Sequence, residues 1–482
     1  MASYTTAVAQ SLPFGEILVG QELIVGLSNE LCVTQEQNVK FCFNIKIGNT
    51  FTLLGSSSIG IFKTTPNNAG VGLLDINRII ENYVSADNIA TDDSQFKRKG
   101  ANGQDIPIHL IDYYSRSKNS IKFFTIRGYT EFTNASGQVV PTDEVTVSLG
   151  IIINGYVKHA DTLKAVFQST YGAAYAFSYS LEDYGIAKGE TKKFLTNSPS
   201  TQYVRAEDYC TLSFLAINDF SGGTCDVDKT EIKLYKADDS LVNTIHVNRL
   251  EAFGAFNGNA NAGNNTENRI LYIGVGPANL RQDSTFNTKL ESNLAYYTIT
   301  LLDDEGDAVS ETKRFDILCP NSKQYKPIRL TWLNQFGTWD YYTFNQKSVK
   351  SISTKSTTYQ QLGGTWNSKT YNPYGYKGGT KTFRVNASEK IRMNTDYITE
   401  EHSDWFEELV NSPEVYMLKD WELPRVQSST AAPTAERKVL NQEVTPVRLT
   451  TTNFTKKTVA NDKLIQYTFE VEKSRNLRTQ AI

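Results

Sequence analysis

The 482-residue chain is 39% hydrophobic, 11% aromatic and 21% charged, with 26 Tyr and 24 Phe against 3 Met. That much apolar material supplies several cores and excludes a fibrous low-complexity protein, while the Met-poor, aromatic-rich balance favours strands over a helical bundle. The formal net charge of −3 hides an asymmetry: residues 321–400 hold 12 Lys or Arg against 4 Asp or Glu, or +8, which leaves −11 for the remainder. The basic stretch suits an acidic partner, nucleic acid, or simply a solvated face.

The first segment, 1–158, reads as a β-sandwich with one packed helix. Its opening residues carry no basic residue ahead of an apolar run, so no secretory signal is expected. Phe41, Phe43, Ile45 and Ile47 alternate as a strand with one buried face. Asp75 is placed to cap a short helix bearing Ile76, Ile79, Ile80, Tyr83 and Val84 at helical spacing. Strands over Ile121–Phe132 and up to Ile153 flank a reversal at Asn134–Gly137. The apolar run near Leu149–Val157 is interrupted by Asn154 and Gly155 and is too short to span a bilayer.

The second segment, 159–320, alternates apolar runs with acidic turns, at Thr211–Asn218, Thr230–Val247 and Tyr296–Ser310, the last two reading as hairpins. The spacing suits an immunoglobulin-like sandwich, although no Cys…Trp…Cys signature is present. A helix near Leu163–Thr170 is one reading, and the Asn/Gly-rich run at Asn257–Asn265 reads as an exposed loop.

The third segment, 321–482, opens with a hairpin. Ile328, Leu330 and Trp332 share one face of its first strand, and Asp340, Tyr342 and Phe344 stand opposite Trp339, Tyr341 and Thr343 on its second. Between them Asn334 and Gly337 offer the backbone freedom of a tight turn. A loop rich in Gly, Lys and aromatics follows at Gly363–Gly379, then the strand containing Thr380–Ser388. A helix from Thr399 to Pro413 comes next, with Glu400 and Glu401 at its positive end and Trp405/Leu409 and Phe406/Val410 repeating at i+4. After an exposed crossing at Gln427–Ala435, a terminal hairpin turning at Asn461–Asp462 buries Ile465, Tyr467, Phe469 and Val471 and exposes Gln466, Thr468, Glu470 and Glu472. The fold class is therefore all-β dominated, with tandem sandwich domains and a few short helices.

No segment brings catalytic chemistry together. His109, His159, His246 and His402 are too scattered for a local metal motif. Gly55–Gly60 misses nucleophile-elbow spacing, and Asp303–Asp307 puts Gly306 out of EF-hand register. The Gly274–Asn279 run lacks a third glycine and places Pro277 where a dinucleotide-binding helix would start. No metal and no cofactor are assigned. Cys32, Cys42, Cys210, Cys225 and Cys319 form no C-x-x-C pair and read as buried thiols, with a 32–42 or 210–225 disulfide as the alternative.

The W-L-N-x-x-G-x-x-D pattern at Trp332–Asp340, following F-x-I-x-C at Phe315–Cys319, resembles structural proteins of tailed bacteriophages, particularly those infecting Bacteroidetes and some marine bacteria. Leu73–Val84 and Leu464–Glu472 are similar in the same order. The resemblance implies a location in the virion more than a mechanism; together with the tandem β architecture and the lack of a catalytic constellation it gives the expectation of a non-enzymatic assembly role at the tail, neck or baseplate. The partners it implies are further copies of the chain and other virion proteins, with no membrane span and with nucleic acid disfavoured. The candidate interface residues are Trp366, Lys369, Tyr371, Tyr374, Tyr376, Lys377 and Lys381. These rings either cover a subunit contact or fold back onto their own sheet. The alternative function is recognition or degradation of a host glycan, with the same rings stacking on sugars.

Overall fold

The computed structural model describes residues 4–12, 16–49, 58–90, 107–111, 114–159, 161, 181–216, 227–248, 270–281, 283–292, 294–318, 325–418, 444–451, 453–455, 465–475 and 478–481. The expected features at Leu163–Thr170, Asn257–Asn265, Gln427–Ala435 and Asn461–Asp462 lie outside these residues, as do Cys225 and Cys319. The protein is mostly strand, arranged in several sheets with a few short helices, as expected. It divides into two compact units, one of Met1–Leu318 with Leu333–Asp340 and the other of Cys319–Trp332 with Tyr341–Ile482.

In the first unit a three-stranded sheet (Ala7–Gln10, Ile24–Ser28, Val71–Asp75) faces a larger one ordered Glu16–Gly20, Val145–Tyr156, Ile121–Thr133, Gln37–Gly48 and Ser58–Thr64. Leu23, Val25 and Leu27 meet Phe41, Phe43, Ile45, Phe124, Ile126 and Ile152 in the core between them. The alternation at Phe41–Ile47 is therefore used as expected. Ile76 and Ile80 close one end of this core from a helix spanning only Asn77–Ile80. Asp75 precedes that helix and accepts the Asn77 N–H at 3.0 Å, while Ile76 occupies the cap position itself.

Two further sheets complete the unit. One runs Gly185–Ile186, Thr211–Ala216, Ile270–Gly274, Tyr114–Arg116, and the other Thr201–Val204, Lys313–Ile317, Tyr296–Leu302, Lys229–Tyr235, Leu241–Asn248. Both contain parallel pairs beside antiparallel ones. They are joined by the buried Tyr114 hydroxyl bonding the Thr230 hydroxyl and by the Tyr297 hydroxyl donating to the Val275 carbonyl at 2.8 Å. Because Tyr114–Arg116 pairs with Ile270–Gly274, a boundary at 158/159 would cut through a sheet. The boundary at 320/321 lies beside the observed division at 318/319.

The second unit is one sheet in the order Trp339–Phe344, Ile328–Leu333, Val415–Leu418, Val444–Leu449, Thr468–Lys473, Gly379–Asn394, Val349–Gln361, with Arg478–Ala481 also on Gly379–Asn394. The helix Glu400–Asn411 covers one face, setting Trp405, Phe406 and Leu409 against Leu330, Trp332, Phe344, Met393, Phe469 and Val471. Thr399 stands at the helix cap, but its hydroxyl meets the His402 ring at 3.0 Å and bonds no backbone N–H of the first turn. Leading into and along the strand Thr468–Lys473, Ile465, Tyr467, Phe469 and Val471 are buried and their alternates are not. Among the described residues no helix is long and apolar enough to cross a membrane.

The opening hairpin is a core element on both faces: Arg329, Thr331 and Asp340 are buried along with the apolar residues. Its turn works differently from the expectation. Only Gly337 has a left-handed backbone, φ +70°; Asn334 acts through its side chain. The Asn334 amide oxygen accepts the N–H groups of Phe336 and Thr338, both at 3.0 Å, and its amide nitrogen donates to the Leu195 carbonyl at 2.9 Å and to Asp340 at 3.2 Å. Asp340 also accepts from the Thr196 hydroxyl at 2.6 Å, and the Trp339 indole donates to the Asp87 carbonyl at 2.9 Å. A methyl group on Gly337 would stand 2.0 Å from the Asn154 carbonyl oxygen. Gly337→Ala combines that clash with a strained φ, and Asn334→Ala strands several buried polar groups. Each is expected to lower unfolding free energy by at least about 2 kcal/mol in urea titrations, with no such loss for Ser136→Ala in an exposed turn.

His109 packs edge-on against Trp339, with ring centroids 4.8 Å apart, and burial pushes its pKa down from 6.5 to about 3. Between those values the unfolded chain binds a proton that the folded chain refuses, so stability falls as pH drops from 6.5 towards 3. The slope from this group approaches about 1.4 kcal/mol per pH unit. His109→Phe is expected to flatten the pH dependence of the unfolding free energy across that window, compared with the unsubstituted protein.

Candidate interaction surface

Strands Val349–Gln361 and Gly379–Asn394 form an antiparallel ribbon in register from Val349↔Arg392 to Gln361↔Gly379, with a bulge near Thr357. Thirteen residues at about 3.3 Å each give a strand of about 40 Å. The ribbon is joined to the sheet along Gly379–Asn394, where Lys390–Asn394 pair with Thr468–Glu472 and Arg384–Ala387 with Arg478–Ala481, so that among the described residues only Gly379–Phe383 and the facing end of Val349–Gln361 are two-stranded. Val349–Thr358 is exposed at every residue, so both faces of that strand meet solvent.

Residues opposite each other in an antiparallel pair share a face. One face therefore carries Lys355, Arg384, Lys390 and Arg392 and no carboxylate of the ribbon itself, with Lys390 paired to Glu470 of the adjoining strand at 3.4 Å. The other carries Ile352, Thr354, Ser356, Val385, Ala387 and Ile391, with the buried Glu389 close to Lys350 (3.7 Å) and Lys473 (3.2 Å). Ile391 belongs to the core of the unit, so this second face prolongs the core outward to Ile352, which is 63% exposed. Between Val349 and Ser388 the sequence has five Lys and one Arg and no Asp or Glu. Among the described residues none of Lys355, Lys369, Lys377, Lys381 and Arg384 pairs with a carboxylate.

At the end of the ribbon the chain makes a hydrogen-bonded loop. The Thr365 hydroxyl donates to the Thr370 carbonyl and accepts the Asn372 N–H, each at 2.9 Å. Gly364, at φ +65°, leaves the space that Tyr371 and the Asn372 carbonyl occupy. Trp366 meets Tyr371 edge-on at 5.8 Å, and Tyr374 stacks with Tyr376 at 5.6 Å. The Lys377 ammonium lies 5.6 Å from the Tyr374 ring and 5.9 Å from the Tyr376 ring, and Lys381 donates to the Tyr376 carbonyl at 2.9 Å. All four rings are exposed, Trp366 at 66% and Tyr376 at 70%, so they do not fold back onto their own sheet. The seven candidate residues thus sit together at the end of the ribbon, with Lys369 and Lys377 exposed among the rings. Sequence reading missed the strand Val349–Gln361, because Ser, Thr and Lys on both faces leave no apolar alternation. The signal available was its run of β-branched residues between the hairpin and a glycine-rich loop.

The other places where chemistry was sought are structural. Asp303, Glu305 and Asp307 approach one another, and buried Asp303 accepts the N–H groups of Glu305 and Asp307, which is the work of a turn; Lys188 pairs with Asp304 and Glu305 outside it. A short helix, Pro277–Leu280, does begin at Pro277, a residue suited to a first helical position. The space beside Gly274 and Gly276 is filled by the Ile111 carbonyl and the Cys210 N–H, which leaves no cradle for a phosphate. Cys32, Cys42 and Cys210 are buried; Cys32 and Cys42 are free thiols, so the 32–42 disulfide does not form, and burial pushes their pKa values up to about 11, while Cys225 of the other alternative lies outside the described residues.

No family pattern matches the sequence, nor does any curated protein. Among solved structures, similarity is found to Escherichia coli alpha-2-macroglobulin in its native conformation, at 6% identity and a TM-score of 0.19 over 82% of this chain and 22% of that one. The trypsin-activated form of that protein gives 6% identity and a TM-score of 0.15 over 96% and 30%. The chain thus spans less than a third of either, and likeness at this level does not define a shared fold.

The three thiols provide a check on the packing around them. Cys32, Cys42 and Cys210 are expected to react with a thiol reagent at pH 8 far more slowly in the native protein than in denaturant, measured residue by residue by peptide mass spectrometry. Native labelling at denatured rates would contradict their burial.

Proposed function

We propose that the chain is a non-enzymatic structural component of a tailed-phage particle, placed at the tail, neck or baseplate, and that it works through contacts between subunits. The observation that carries this reading is the ribbon. Its end beyond Arg384 is two-stranded, which is marginal in water, and the long exposed edge strand Val349–Gln361 invites pairing with another chain. Such an element is suited to being completed by a neighbour. The location rests on the resemblance of the motif order around Phe315–Asp340 to tailed-phage proteins. Mass spectrometry of purified particles is the test: the chain is expected at a fixed stoichiometry relative to the other virion proteins, and its presence in infected-cell lysate but not in particles would overturn the assignment.

The exposed, edge-packed Trp366 and Tyr371 favour one second reading, a host-glycan-binding or glycan-degrading module, since planar rings at a loop end can stack on sugar faces. Glycan arrays and polysaccharide digestion with the assembled protein separate the two. Binding that Trp366→Ala abolishes would support the glycan reading, and neither binding nor product would remove it.

A further inference from the structure

We infer that the ribbon of one copy docks on the acidic body of a second copy of this chain, in a head-to-tail contact and not by ribbon-to-ribbon pairing. This rests on the assembly reading above and names the partner and the geometry. Residues 349–388 carry +6, and with a whole-chain charge of −3 everything else carries −9. Each copy therefore offers a cationic arm and a remainder of net negative charge, and complementary fields favour bringing one to the other. A twofold contact between two ribbons would set +6 against +6 and place Lys350, Lys355 and Lys381 beside like charges, so the ribbon's own composition opposes it. A head-to-tail contact uses two different patches and propagates until it closes into a ring.

The ribbon's two faces decide between protein and nucleic acid. The cationic face alone would fit a phosphate backbone. Its opposite face prolongs the core through Ile352 and Val385, and Phe383 (48% exposed) and the four rings at the end add further apolar surface. Apolar and aromatic surface flanked by cations is the composition of a protein interface, where buried rings supply affinity and rim charges supply orientation. The acidic remainder of the chain repels a polyanion and attracts another ribbon.

The test uses the full chain and two variants. In the first, Thr358–Phe383 is replaced by Asn-Gly, which joins Thr357 to Arg384 where the two already face each other and keeps the pairing of Arg384–Ala387 with Arg478–Ala481. In the second, K369E/K377E/K381E reverses the exposed Lys369 and Lys377 and the half-buried Lys381 without touching the core, and circular dichroism confirms that it folds. By native mass spectrometry and sedimentation the unsubstituted chain is expected to assemble at about 50 mM salt and to dissociate on raising salt to about 500 mM, where the screening length is only a few ångströms. The charge-reversed chain is expected to assemble at least about tenfold more weakly, or about 1.4 kcal/mol.

The clipped chain is expected to be monomeric alone, yet to enter complexes with the unsubstituted chain as a terminal subunit, because it retains the acidic remainder. Exclusion of the clipped chain from those complexes would mean ribbon-to-ribbon pairing and overturn the proposal. Undiminished assembly of either variant would overturn it as well, and so would an unsubstituted chain that stays monomeric while its ribbon binds a single- or double-stranded oligonucleotide or a glycan. These outcomes are read on purified protein, whereas the virion reading fails only on particle composition.

Discussion

The turn Asn334–Thr338 is the constraint on which the polar packing among Leu195, Asp340 and Tyr156 depends. One amide side chain satisfies two backbone N–H groups of its own turn, a carbonyl from Leu195 and the Asp340 carboxylate, all in buried surroundings. Buried polar groups are costly when unmatched, so such a hub admits one arrangement and rejects its neighbours. The Gln335 carbonyl accepting the Tyr156 N–H at 2.9 Å, and the close approach of Gly337 to Asn154, hold the turn against the end of Val145–Tyr156. Glycine is required because the backbones meet where a side chain would have stood.

Similar polar hubs recur among the described residues of the first unit. Asp87 accepts from the backbone of Lys118 and Asn119 and from the Ser120 hydroxyl. Asn279 accepts from Cys210 and donates to the carbonyls of His109 and Ile111. Buried Lys313 reaches the Ser198 carbonyl at 3.0 Å and Glu311 at 3.3 Å. These side chains resemble catalytic residues in type and burial, but each is occupied in joining segments distant in sequence.

The ribbon follows the opposite logic. Val349–Gln361 is paired along one edge only, little of its side-chain surface is buried, and between Val349 and Ser388 every charge is positive. Backbone pairing contributes little net stability in water, so a ribbon gains order chiefly from what covers it. The core of the second unit ends near Ile391 and Met393, while the same strand continues to Gly379. The buried Glu389, with Lys350 and Lys473 around it, marks the place where the core gives way to solvent.

Local pattern was enough to read the strand-dominated class, the strands at Phe41–Ile47 and Ile465–Val471, the opening hairpin and the helix bearing Trp405 and Phe406. In each of these the side chains that face the core recur at the period of the backbone, so burial is written into the order of residues. The aromatic, lysine-rich loop was also legible as a candidate surface, because composition alone distinguishes it. Tertiary structure decided what periodicity does not encode. Tyr114–Arg116 joins a sheet whose other strands come from beyond residue 185, a pairing set by long-range hydrogen bonding. Asn334 acts through an amide whose partners are more than 130 residues away or across the turn. Val349–Gln361 is a strand with no buried face, so it lacked the alternation by which strands are recognised; only pairing with Gly379–Asn394 revealed that the seven candidate residues stand at the end of an exposed arm.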